Sequence, residues 1–253
     1  MEVILIGAGN LATNLGKAMK VAGLSVKQVY SRTRGSAMVL ADLLETEATN
    51  DLAAVKDADV YVLSVKDDAL ESLIPALAKN RAQSVFLHTA GSMPMDVFAK
   101  DAEHYGVFYP MQTFSKGKEV NFREIPCFVE SNDEYSKRIV HQLASMVSDK
   151  VSELSTEKRK YLHLAAVFAC NFTNHCYDLA AQILEPQGIP FDVMLPLIDE
   201  TARKVHMLSP HDAQTGPAVR YDEHVICAQM ALLDDERTKK IYELLSHNIH
   251  DRL

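Results

Sequence analysis

The sequence has no uninterrupted apolar stretch approaching the roughly 18 residues that cross a bilayer, which argues against a helical membrane anchor. It has no C-x-x-C pair: Cys127, Cys170, Cys176 and Cys227 stand apart, as expected of reduced, mostly buried thiols in a reducing compartment. His206, His211, His247 and His250 form no H-E-x-x-H set and no cysteine-paired set, so no metal site is expected. Neither a G-x-S-x-G elbow nor a G-x-x-x-x-G-K-[ST] loop occurs, which removes serine-hydrolase and NTPase chemistry of those types. Positive charge is also short: the net charge is −8 over 253 residues. That balance excludes an extended nucleic-acid or anionic-membrane surface. With 47% hydrophobic and 24% charged residues, the chain has the composition of an ordinary soluble globular protein. No leader is expected before a strand that begins at the first residue, and the expected location is cytoplasmic.

What is present is organised around the opening residues. Val3 to Ile6 is a continuous apolar run, as in a parallel strand buried on both faces. It ends in Gly7-Ala8-Gly9-Asn10-Leu11-Ala12, a G-x-G-x-x-A dinucleotide fingerprint. Gly7 makes the tight turn, Gly9 admits a pyrophosphate close to the backbone, and Ala12 allows close helix–strand packing. The next helix directs its unpaired N–H groups at the anion. Gly7, Gly9, Asn10, Leu11 and Ala12 are therefore the first cofactor-binding candidates. Val26 to Tyr30 predicts a second strand, followed by Ser31-Arg32-Thr33-Arg34. An acidic residue there would hold the ribose 2′-hydroxyl of NAD, whereas an Arg suits a 2′-phosphate. Ser31, Arg32 and Thr33 thus point to NADP, with NAD the less favoured cofactor.

Strand and helix patterns alternate up to about Ser155, predicting a doubly wound, mostly parallel sheet. One strand ends in Ser64-Val65, whose backbone is placed to line the cofactor. The next delivers His88-Thr89-Ala90-Gly91-Ser92 to the same edge. A further short strand, Val107 to Tyr109, ends in Pro110-Met111-Gln112-Thr113-Phe114-Ser115, whose polar side chains between Pro and Phe have the look of a site loop. From Thr156, a candidate N-cap, strand signals vanish. A helical pattern runs to Leu184, about 40 Å at 1.5 Å per residue, and three more helices follow. The expected division is a dinucleotide-binding α/β domain over 1–155 and an all-α substrate and dimerisation domain over 156–253. On the long helix, Asn171, His175 and Asp178 share one face, with His163 two turns earlier. Asn171 stands among apolar neighbours, where a buried amide needs partners. Arg220, after Gly216-Pro217, can present a guanidinium to a carboxylate or phosphate, or pair with Asp222.

This ordered set of segments resembles the superfamily of pyrroline-5-carboxylate reductase and the β-hydroxyacid dehydrogenases. It is most similar to an uncharacterised Rossmann-like family with a C-terminal domain of unknown function, related to the 6-phosphogluconate dehydrogenase-like C-terminal domain. Besides the fingerprint, the resemblance rests on the segments 88–92, 109–114, 163–171 and 215–222. It implies a cofactor cleft between domains, substrate over the nicotinamide and the long helix beside it. One departure stands out: Val167 occupies the position of the Lys that serves as proton donor in β-hydroxyacid dehydrogenases.

The resulting expectation is an NADP-dependent oxidoreductase transferring hydride to a small C=N or C=O substrate that carries an anionic group. Asn171 would hold substrate, His88 or His163 would relay a proton, and Arg220 would bind the anion. The chain is expected to work as a homodimer through its Ala-rich helices, without nucleic acid or membrane. The competing expectation is a non-catalytic dinucleotide-binding sensor, which the absent Lys favours. A deazaflavin in the groove is a third.

Overall fold

The computed structural model describes residues 1–252. They divide into two units, one over residues 1–167 and one over residues 168–252. The composition changes texture at residue 156, whereas the boundary between the units falls a helix later. That intervening helix begins with side chains bonded to the sheet.

The first unit carries an eight-stranded sheet in the order β3-β2-β1-β4-β5-β6-β7-β8. Its strands are β1 (Glu2–Ile6), β2 (Ser25–Tyr30), β3 (Glu47–Thr49), β4 (Val60–Leu63), β5 (Val85–His88), β6 (His104–Pro110), β7 (Cys127–Ser131) and β8 (Val151–Glu153). Every pairing is parallel except β6 with β7. The central strands are apolar throughout because helices cover both sheet faces. On one face Val3, Leu5, Val62, Leu87 and Phe108 meet α1 (Asn10–Val21), α2 (Arg34–Leu44) and α4 (Glu134–Val147) through Leu15, Leu40 and Val140. On the other, Ile4, Ile6, Tyr61, Leu63 and Phe86 meet α3 (Asp67–Ala78) through Leu70, Ile74 and Leu77, and Phe98 besides. The order reverses at β1, whose neighbours β2 and β4 are reached in opposite directions. At such a switch point the carboxyl ends of the strands splay apart and leave a crevice.

Residues 156–184 are not one uniform helix. They form α5 (Thr156–Ala166), a π-helical stretch over Val167–Phe172, and α6 (Thr173–Leu184). The Thr173 hydroxyl donates to the Phe168 carbonyl five residues back, consistent with the wider π repeat. Such insertions concentrate at functional positions. The second unit continues with α7 (Leu195–Lys204), α8 (Glu223–Ala231) and α9 (Glu236–Asp251). Among its described residues only Ala218, Ile226 and Ser246 are buried. Large apolar side chains stay open to solvent, among them Met207 at 86%, Leu232 at 80% and Leu244 at 71%. The cysteines differ from expectation for the same reason. Cys127 lies in the sheet and is buried, whereas Cys176 and Cys227, on thinly packed helices, are exposed.

Truncating Leu63, fully buried between β1 and α3, is expected to cost about 2–5 kcal/mol. The urea midpoint of the sheet unit's unfolding transition, compared between wild type and Leu63→Ala, measures it.

Candidate functional site

The Gly7 turn is fixed by its neighbours. Gly7 N–H donates to the Tyr30 carbonyl at 2.8 Å, and Ser64 N–H donates to the Ile6 carbonyl at 2.8 Å. At φ +119° a side chain is strained, and a Cβ there would lie 2.2 Å from the Ser64 oxygen. Gly9, by contrast, has nothing within 4 Å of where a Cβ would stand, so its outer side is open. It serves as N-cap of α1 with no side-chain hydrogen bond, and no acidic residue occupies the first turn. Asn10 is exposed, Leu11 half-buried and Ala12 fully buried against the sheet. An open, uncapped helix start without competing carboxylates fits a diphosphate, by the chemistry of N–H donors and the helix dipole. Ser31 is half-buried, and its N–H bonds the Thr49 carbonyl at 3.1 Å. Arg32 and Thr33 are exposed, and Thr33 caps α2 without committing its hydroxyl.

Further along the same edge the strand-end loops are bonded to one another. The Thr89 hydroxyl donates to Ser64 Oγ at 3.2 Å, and the Ser92 hydroxyl donates to Asp67 Oδ2 at 2.5 Å. Ser64 and Val65 are both half-buried. The next link is Met95 N–H to the Thr156 hydroxyl oxygen at 3.1 Å. Thr156 is not the N-cap of α5; Ser155 fills that position. The Thr156 hydroxyl and N–H instead both donate to the Glu130 carboxylate at 2.8 Å. One turn on, Arg159 is 1% exposed. Its guanidinium donates to Glu130 Oε2 at 2.5 Å and to the Met93 carbonyl at 2.6 Å. Arg159 Nε has no partner among the described residues.

The two candidate histidines of this unit have different surroundings. His88 is fully buried, with its ring 5.7 Å from that of Phe98. Its Nδ1 accepts from Ala90 N–H at 3.2 Å, and its Nε2 has no partner among the described residues. Burial, helped by the nearby Arg159 charge, pushes its pKa down to about 3. A ring held neutral and shut off from solvent is poorly suited to the relay expected of it. His163 sits at the edge, half-buried, with Nδ1 3.0 Å from the Tyr109 hydroxyl.

The remaining candidates lie on the helical unit. Asn171 is exposed and falls in the π-helical stretch, so the expected buried amide is absent: its apolar neighbours Phe168 and Phe172 are themselves exposed. Arg220 is exposed and forms no salt bridge among the described residues. Asp222, its alternative partner, instead caps α8 by accepting from Val225 N–H at 3.3 Å. His175 and Asp178 stand 4.0 Å apart. Among the described residues no cluster of His, Cys, Asp and Glu is arranged to hold a metal, and no helix is long and apolar enough to cross a membrane.

Sequence reasoning missed the Tyr109–His163 contact and the Glu130–Thr156–Arg159 network altogether. An Arg three residues after a helix-start Thr was the available signal, but its partner is distant in the chain. Removing Arg159 strands a carboxylate, so Arg159→Met is expected to destabilise the sheet unit by about 3–5 kcal/mol, measurable by urea titration. His88 carries a pH signature. It stays neutral when folded and takes up a proton near pH 6.5 once unfolded, so its contribution is present above pH 6.5 and is lost as the pH falls towards about 3. The slope from this one group approaches about 1.4 kcal/mol per pH unit. Urea titrations at pH 7, 6, 5 and 4 should show a shallower loss for His88→Leu than for wild type.

Residues 2–90 match the family described as NADP oxidoreductase coenzyme F420-dependent, and residues 125–249 match the Domain of unknown function (DUF2520). A solved structure from Bacteroides fragilis, named a “putative NADP oxidoreductase”, is 53% identical over 99% of this chain and 98% of that one, with a TM-score of 0.96. An imine reductase from Myxococcus stipitatus, solved with NADP+, shares the fold at 16% identity and a TM-score of 0.69, over 99% of this chain and 92% of that one. Pyrroline-5-carboxylate reductase of Pseudomonas aeruginosa is 33% identical over 80 residues, 30% of this chain and 29% of that protein, so the matched stretch spans less than a third of that curated relative. The chain belongs to the family that joins an NADP oxidoreductase coenzyme F420-dependent domain, of Rossmann-like fold, to a C-terminal DUF2520 domain.

Proposed function

We propose that this protein is an NADP-dependent reductase that transfers hydride to a small C=N or C=O substrate. Its family and structural neighbours support an NAD(P)-dependent oxidoreductase. The single observation that carries the reading is the Gly7–Gly9 turn, closed on its inner side by Ser64 and open on its outer side at an uncapped helix start. NADPH, when bound, supplies the hydride, and the protein supplies orientation and charge. Gly7, Gly9, Asn10, Leu11 and Ala12 would hold the diphosphate, with Ser64 and Val65 beside the adjoining ribose. Ser31, Arg32 and Thr33 favour the 2′-phosphate of NADP, since no carboxylate is present there to bind a free 2′-hydroxyl. Of the two imidazoles, His163 is assigned the proton relay, because His88 is fully buried whereas His163 is half-buried with its Nδ1 3.0 Å from the Tyr109 hydroxyl. Asn171 and Arg220, both exposed on the helical unit, are assigned to hold the substrate and its anionic group.

The uncovered apolar side chains of the helical unit support a homodimer through that unit, in which a second copy removes them from water. The acidic chain, in which no described helix is long and apolar enough to cross a membrane, fits a cytoplasmic location. One observation favours the rival reading, a dinucleotide sensor without turnover: Val167 stands where β-hydroxyacid dehydrogenases carry their Lys.

Fluorescence titration should show NADPH binding at least about tenfold more tightly than NADH, a difference near 1.4 kcal/mol; Arg32→Glu should erase that preference. A panel of cyclic imines and 2-keto acids, followed by NADPH consumption, tests the reaction. Tight NADPH binding without turnover of any member would favour the sensor. Sedimentation should give twice the monomer mass, and Leu244→Glu should shift it towards the monomer.

A further inference from the structure

We propose that Tyr109 is the proton donor of the reduction and that His163 refills it, an inference that rests on the reductase reading above. Tyr109 is the penultimate residue of β6, at the carboxyl edge of the sheet, and is 8% exposed. Its hydroxyl lies 3.0 Å from His163 Nδ1, and the two rings meet edge to face at 6.1 Å.

The pair is held from several sides. A Cβ on Gly91 would fall 2.5 Å from His163 Nδ1 and 2.6 Å from its Cγ, so the imidazole occupies space that only glycine leaves free. His163 lies four residues after Arg159 on α5 and therefore on the same helix face. Arg159 is in turn bonded to Glu130 on β7 and to Met93 in the loop after β5. With strands about 4.8 Å apart, the three steps from β1 through β4 and β5 to β6 cover about 14 Å of edge. The Tyr109 hydroxyl thus stands along the same edge as the Gly7 turn, on the β4 side of the switch point. Burial raises the Tyr109 pKa, opposed in some measure by the Arg159 charge, so the phenol keeps its proton at neutral pH.

The chemistry balances with one proton. Hydride adds to the carbon of C=N or C=O, and the electron pair of the broken π bond goes to nitrogen or oxygen. That atom takes the Tyr109 O–H proton. The phenolate oxygen takes the Nδ1 proton of the His163 imidazolium, and the half-buried ring regains a proton from solvent. Tyr109 touches the reacting atom and is the catalytic residue; His163 acts through it.

The test combines kinetics with a readout that needs no turnover. On the fastest substrate of the imine and keto-acid panel, Tyr109→Phe should lower kcat by about 100-fold or more while NADPH affinity stays within about twofold. His163→Gln should lower kcat in its turn and alter its pH dependence, with NADPH affinity within about twofold. In the enzyme without cofactor, the 15N shift of His163 Nδ1 at one fixed pH should change in Tyr109→Phe, since its hydroxyl partner is lost. If Tyr109→Phe keeps kcat within about threefold of wild type, or leaves that 15N shift unchanged, this inference is wrong and the reductase reading survives. If wild type binds NADPH but turns over no member of the panel, the reductase reading fails and this inference with it.

Discussion

The ion pair between Arg159 and Glu130 is the constraint on which the strand-end edge depends. An arginine that is 1% exposed has left water almost completely, and it is tolerable only because its guanidinium donates to a carboxylate, a carbonyl and a hydroxyl at once. Charge-assisted bonds of this kind roughly double the strength of neutral ones. Desolvation consumes much of that gain, so such pairs contribute more to a unique arrangement than to net stability. Here the arrangement joins three elements that the chain separates widely: β7, the loop after β5, and the first turns of α5. Each of them touches the edge where the Gly7 turn lies.

The same constraint explains why two histidines of one unit behave so differently. His88 ends a central strand whose alternate side chains enter the core between Phe86 and Phe98, so the pleat dictates its burial. Arg159 then adds a nearby positive charge that further disfavours protonation. His163 is carried on the helix that Arg159 pins, and its ring is turned to the Tyr109 hydroxyl by the space left at Gly91. One imidazole stacks in the core, whereas the other stands within reach of solvent and of a phenol.

Much of the fold was legible in the chain. The apolar runs of β1, β4 and β5, the turn at Gly7-Ala8-Gly9 and the alternation with amphipathic helices are local signals, and the doubly wound sheet follows from them. Two features escaped for identifiable reasons. The antiparallel entry of β7 beside β6 depends on which edge accepts a strand, and that is a tertiary choice. The π-helical stretch over 167–172 leaves no mark in local composition, and Asn171, expected to be buried among its apolar neighbours, is exposed beside the equally exposed Phe168 and Phe172. The site was only partly legible. The residues of the glycine turn are contiguous, while Tyr109, Gly91, Glu130 and Arg159 meet from four separate segments, and spacing along a chain carries no record of such meetings.

The helical unit keeps only three of its described residues away from solvent, and this has a thermodynamic consequence. A fold whose interior is so thin draws little from its own side chains, so any occupant of its oily exterior would raise its melting temperature by mass action, without altering a covalent bond.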